Sequence, residues 1–177
     1  MRIRLARVDD WPACAALDAS FETEIAWQMA EMRGEGEMGA RFREVRLPRK
    51  QHVQALLPAE SRSKTWDARD GFFVAVERPA IIGYIAASLE SDHRQARITD
   101  LVVAPEYRRQ GIASALLLRL SEWALHADTD QLVLECPSKA QPAIGFALQH
   151  HFIFCGYQDS YWPGQEVALF FRLRLRK

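Results

Sequence analysis

The stretch of this chain best equipped for chemistry is Arg108-Arg109-Gln110-Gly111-Ile112-Ala113, two arginines and an amide followed by small residues. The first turn of a helix carries unpaired N–H groups and partial positive charge, so a turn of this kind suits a phosphate if a helix begins there. The flanking pattern predicts one. Ile98 to Val103 reads as a strand, ending in the continuous apolar run Leu101-Val102-Val103 and stopped by Pro105, which cannot donate to a ladder. After Gly111, the residues Ile112, Ala113, Leu116, Leu117, Leu120, Trp123 and Ala124 fall on one face of a helix. A solvated basic turn between a core strand and a core helix is the bland alternative.

The totals frame that motif. A chain of 177 residues with 49% hydrophobic and 26% charged residues suits one globular domain with a sizeable core. A formal net charge of zero offers no overall field for nucleic acid. The start, Met1-Arg2-Ile3-Arg4-Leu5, lacks the apolar stretch of a signal peptide, and no run is long enough to span a membrane. Cys14, Cys136 and Cys155 have no metal-ligand spacing and read as buried free thiols in a reducing cytoplasm. The expectation is a cytoplasmic, metal-free protein, a monomer or homodimer, with no nucleic-acid or membrane partner.

Further elements follow from pattern. Residues 2–8 alternate as a strand, and a helix runs from Trp11 to about Ala19. In the segment 21–57, Ile25, Trp27 and Met29 alternate, as do Met38, Ala40 and Phe42, around Gly34-Glu35-Gly36. That favours a hairpin over a helix at 22–33, although Glu, Ala, Gln and Met are good helix formers. Its acidic first half and basic second half read better as charges pairing across strands than as an acidic wall for a cation. Residues 58–70 read as a short helix with a loop. Three strands then form an antiparallel meander through 71–77, 81–87 and 97–103. Gln131 to Glu135 is a strand parallel to 98–103, a helix covers 143–150, and strands at 152–162 and 166–176 close the chain.

With a strand before and a helix after, Arg108-x-x-Gly111-x-Ala113 resembles the acetyl-CoA signature of the GNAT acetyltransferase superfamily. Gly83-Tyr84-Ile85 and the ending Phe152-Ile153-Phe154-Cys155-Gly156-Tyr157 are similar to strands of that family. The resemblance implies an α/β (α+β) fold: a mixed, mostly antiparallel sheet flanked by helices, with two splayed parallel central strands, over a single domain 1–177. It implies acetyl-CoA as acyl donor and no metal. Leu101, Val102, Val103, Arg108, Arg109, Gln110, Gly111, Ile112, Ala113 and Ser114 would then line the cofactor, with Trp27, Tyr84 and Asp100 on the acceptor side. Acceptor specificity would lie in the insertion at 21–57.

The implied reaction is acetyl transfer to an amine of a small molecule, antibiotic or peptide N-terminus. A protonated amine cannot attack, so a base must take its proton. Glu135, ending the second parallel strand, is similar to the strand-end glutamate of ribosomal-protein N-terminal acetyltransferases. Where many relatives carry Asn-x-x-Ala-Ile-x-Phe-Tyr-x-x-x-Gly-Phe, this chain has Ala140, Ala147 and His151 in place of Asn, Tyr and Gly. Ala147 has no proton to give a departing thiolate. Tyr157 and Tyr161, or His150 and His151, are the substitutes in reach by sequence. The thiolate could also leave unaided, or the domain could bind acyl-CoA with weak turnover. His151, in place of the glycine that caps such a helix, implies backbone strain.

Overall fold

The computed structural model describes residues 1–54, 69–162, 164 and 166–175. The predicted helix over most of 58–70 therefore lies outside the described residues. The strands are β1 (Arg2–Leu5), β2 (Phe21–Gly34), β3 (Glu37–Val53), β4 (Gly71–Glu77), β5 (Ala80–Glu90), β6 (Gln95–Val103), β7 (Gln131–Pro137), β8 (Ile153–Trp162) and β9 (Glu166–Arg174). The helices are α1 (Trp11–Ala15), α2 (Ile112–His126) and α3 (Gln141–Gln149). Seven strands form one sheet in the order β1-β4-β5-β6-β7-β9-β8, while β2 and β3 form a separate hairpin. Within the sheet only β6 and β7 pair in parallel, with α2 as the crossover between them.

One apolar layer lies between the sheet and α2. Ile112, Leu116, Leu117, Leu120 and Ala124 of α2 meet Phe73, Ile85, Ile98, Leu132 and Leu134. The helical periodicity and the strand alternation thus converge on one core. A smaller cluster on the opposite face joins Cys14 and Trp11 of α1 to Phe72, Val74, Tyr84, Ala86 and Val102. The first helix is shorter than its pattern suggests, ending at Ala15 rather than near Ala19. Its start is tied by the Arg4–Asp10 ion pair at 2.6 Å, with Asp10 also accepting from the Arg7 N–H at 2.6 Å.

The 21–53 segment is a hairpin, and longer than the alternation alone marks out. Its opposite charges meet across the strands: Glu22 with Lys50, and Glu24 with Arg46 at 3.1 Å. Trp27 anchors it to the sheet. Its backbone N–H donates to the Ser138 carbonyl at 2.9 Å and its indole N–H to Gln141 Oε1 at 3.2 Å. Phe42 packs on Phe154 and Tyr157 of β8, with centroids 5.3 and 5.2 Å away. The arm therefore crosses the end of β7 and leans on β8.

Of the three thiols, Cys14 and Cys136 are buried, and burial pushes each up to about 12. Cys155 is exposed, contrary to the sequence expectation, because β8 is an edge strand.

Candidate active site

The turn between β6 and α2 is built to present backbone. Arg109 has φ 62 and Gly111 φ 81, both left-handed, and the chain enters α2 directly from Gly111. The first helical bond nearby is Ala115 N–H to the Gly111 carbonyl. The N–H groups of residues 109–114 meet no acceptor among the described residues. Such a concave run of N–H groups at a helix start fits a phosphate chain. The two arginines divide the work. Arg108 donates to the carbonyls of Val103 (2.9 Å), Ser20 (2.8 Å) and Asp18 (2.7 Å), so its guanidinium locks the turn to the start of the hairpin. Arg109 is exposed beside the turn. Gln110 donates to the Glu106 carbonyl at 3.0 Å, and Ser114 Oγ sits 2.8 Å from His150 Nε2.

From this turn the parallel strands lead into a split. β6 and β7 pair only from Gln95↔Gln131 to Ile98↔Leu134, whereas β6 continues to Val103 and β7 to Pro137. The split begins at a β-bulge. Ala87 pairs with Ile98 and Ala86 with Asp100, leaving Thr99 as the extra residue. An extra residue bends a strand and resets its alternation. Ala96, Ile98, Leu101 and Val103 consequently face α2, while Asp100 and Val102 join Arg97 on the other face. The inner backbone edge of Leu101, Val102 and Val103, freed from β7, can bond an amide-bearing ligand arm. Gly83 permits the close approach of β5 on the other side, since a Cβ there would lie 2.9 Å from the Val102 carbonyl oxygen.

On the face opposite α2, four side chains meet beside the split. Glu135 accepts from Arg97 Nη1 at 2.9 Å, and Arg97 also holds Glu90 through Nε at 2.5 Å and Nη2 at 3.3 Å. Gln95 Nε2 donates to Glu90 at 2.5 Å. Tyr161 lies beside these four, close enough for the Glu135 carboxylate to act on its phenol. Its position comes from a break in β8, where register jumps from Gln158 to Trp162 and Ser160 adopts φ 53. Burial raises the Tyr161 phenol above its ordinary range, with the Glu135 carboxylate adding to the effect, so it remains a proton donor at neutral pH. The Glu135 side chain is 11% exposed, reachable but largely sheltered.

Other expected residues lie elsewhere. Tyr84 is fully buried against Phe72, with ring centroids 5.5 Å apart, and cannot touch an acceptor. It belongs to the core because β5 runs through the middle of the sheet. Asp100 is paired with Arg69 at 2.8 Å, both side chains under a tenth exposed, so its carboxylate serves that ion pair. Tyr157 packs edge-on against Phe42, on the α2 side of the sheet and away from Glu135. Trp27 fastens the hairpin over the end of β7. Ala147 is fully buried, and the expected strain at His151 is present as φ 62. Burial lowers the His150 imidazole, which is therefore mostly neutral against Ser114 at pH 7. Sequence reasoning missed Glu90 and Arg97. The available signal was an arginine inside an otherwise apolar strand, on the face opposite its core neighbours. Among the described residues no group of His, Cys, Asp and Glu is arranged to hold a metal, and no helix is long and apolar enough to cross a membrane.

A helix start with free N–H groups, opening into a split between parallel strands with a carboxylate beside it, is an arrangement suited to an acyl-CoA-dependent transferase. Residues 41–152 match the acetyltransferase (GNAT) family, more than half of the chain, and the chain belongs to that family. It is 29% identical to the streptothricin acetyltransferase of Streptomyces lavendulae over 168 residues, 91% of this chain and 86% of that protein. A crystal structure of nourseothricin acetyltransferase superposes with TM-score 0.84 at 26% identity, covering 98% of both chains. A streptothricin acetyltransferase-like protein of Bacillus anthracis str. Ames, in complex with acetyl coenzyme A, shares the fold with TM-score 0.77 at 18% identity, covering 98% and 96%. This chain is an acetyl-CoA-dependent N-acetyltransferase, carrying acetyl from the CoA thioester to an amine.

Proposed function

We propose that the acceptor is an amine of a streptothricin-class antibiotic and that Glu135 removes its proton. The observation that carries the acceptor is the likeness to streptothricin and nourseothricin acetyltransferases along almost the entire chain, hairpin included. Local geometry supports the chemistry. Phosphates of the donor lie on the N–H groups of residues 109–114, and its thioester arm runs along Leu101, Val102 and Val103. The acceptor ammonium approaches from the opposite face, where the Glu135 carboxylate stands at the split beside Arg97 and Glu90. Glu135 takes the proton, directly or through water, and the freed amine attacks the thioester carbonyl. A backbone N–H on the freed edge of β6 faces the developing negative charge. Tyr161, protonated and beside Glu135, supplies the hydroxyl that Ala147 lacks.

The deciding experiment is thiol release by the purified protein with acetyl-CoA and, in turn, nourseothricin, simple diamines and a peptide with a free N-terminus. Nourseothricin should exceed the others in kcat/KM by at least roughly tenfold, a discrimination of about 1.4 kcal/mol. Equal or better turnover of the peptide would overturn the acceptor assignment. Tyr161→Phe should lower kcat by roughly tenfold to a hundredfold, the lower range for one positioned acid. An unchanged kcat would remove Tyr161 from the chemistry.

A further inference from the structure

The guanidinium of Arg97 is held unequally by its two carboxylates. Glu90 receives two of its N–H groups, Nε at 2.5 Å and Nη2 at 3.3 Å, whereas Glu135 receives only Nη1 at 2.9 Å. Glu90 is itself fixed. Gln95 Nε2 donates to it at 2.5 Å, and Gln131 Nε2 donates to Gln95 Oε1 at 3.1 Å, a chain across three strands. No comparable brace holds Glu135 among the described residues. A carboxylate that keeps a full salt bridge is a poor receiver for an incoming ammonium, because the guanidinium already fills its cationic position.

We propose that Glu90 and Arg97 are positioning residues for the acceptor. Arg97 orients Glu135 in the free enzyme and cedes that single hydrogen bond to the acceptor ammonium, remaining anchored on Glu90. Glu90 thereby sets how tightly Arg97 competes with the substrate. The inference rests on the acceptor-side role of Glu135 proposed above. The charged and titratable groups around the network are Arg97 on β6, Glu90 on β5, Tyr161 on β8 and Arg172 on β9. Cys136 and Cys155 also feel these charges, as does Glu90 the nearby His93.

Steady-state kinetics with nourseothricin test it. Glu90→Gln should raise KM roughly tenfold while kcat stays within about twofold, as expected when one charge-assisted hydrogen bond competes with binding. Glu90→Asp should recover part of that loss. Adding Arg97→Gln to Glu90→Gln should bring KM back toward wild type, because no guanidinium is left to compete for Glu135. An unchanged KM in Glu90→Gln, or a raised KM that persists in the double variant, overturns the proposal. An unchanged kcat in Glu135→Gln would instead defeat the base assignment, a result distinguishable because the KM pattern of the Glu90 and Arg97 variants is read separately.

Discussion

The proposed donor half and the proposed acceptor half of this site are built from different materials. The donor half is backbone: N–H groups of six consecutive residues at the start of α2 and the free edge of β6. The acceptor half is side chains from separate strands: Glu90, Arg97 and Glu135 of β5, β6 and β7 joined by ionic hydrogen bonds, with Tyr161 of β8 beside them. A backbone site tolerates many side chains but demands particular torsion angles. A side-chain site inverts that demand. The first should therefore break through conformation and the second through charge.

Glu135→Gln gives the largest expected effect and keeps the halves apart. It should reduce kcat roughly 10²–10⁴-fold, the usual contribution of a positioned base, while the acetyl-CoA Kd from calorimetry is unchanged. A parallel loss of donor affinity would break the separation. Gly111→Glu attacks the other half. A side chain at φ 81 is strained and a carboxylate opposes the phosphates, so donor affinity should weaken by roughly a hundredfold, about 2.7 kcal/mol. Turnover at saturating donor should stay near wild type, and unaltered affinity would move the phosphate seat elsewhere.

Ala147→Tyr sharpens the contrast by restoring the hydroxyl found in many relatives. Ala147 is fully buried between α3 and the sheet, so the larger ring should cost roughly 1–3 kcal/mol in denaturant unfolding and give no gain in kcat. A faster enzyme would assign the acid to α3 instead of Tyr161. The smallest effect lies outside both halves. Asp10 is held below the usual carboxylate range, chiefly by its hydrogen bonds to Arg4 and secondarily by the Arg7 N–H. Its folded value lies below its unfolded one, so its stabilisation is complete above about pH 4 and drains as pH falls through the folded value. Asp10→Asn should cost about 1 kcal/mol near neutral pH, and this difference should shrink on acidification. A difference that grows toward low pH would reverse the sign.

The same division explains what could be read from the sequence. The donor half is local: a strand, a stop at Pro105, Gly111 and a helical stripe occupy about 25 consecutive residues, so periodicity and turn chemistry reveal them together. The acceptor half is set by cross-strand register, which no local pattern fixes. Tyr84 was placed on the acceptor side by resemblance alone, yet β5 is covered on both faces. Asp100 shares a face with Arg97 only because Thr99 interrupts the alternation. Tyr161 reaches Glu135 through an irregular β8, with Ser160 in a left-handed conformation that serine seldom adopts. Glu135 stood out as the acid closing the expected 131–135 strand, although β7 runs on to Pro137, and its partners came from elsewhere.

Thr99 also bears on how this protein can change over generations. It works as a frame marker for β6: residues before it and after it are read out to the two sides of the sheet in opposite phase. Point replacements on the acceptor side can revise affinity one residue at a time and leave the donor edge in place. Loss or gain of a single residue in this strand would exchange the two sets downstream, pushing Asp100 toward the α2 core and Leu101 toward the Cys14–Tyr84 cluster on the other face. Descendants with new acceptors should therefore differ at positions such as Glu90 and Arg97 by substitution, and tolerate changes of length in the β2–β3 arm, while the spacing from Arg97 to Gly111 stays constant.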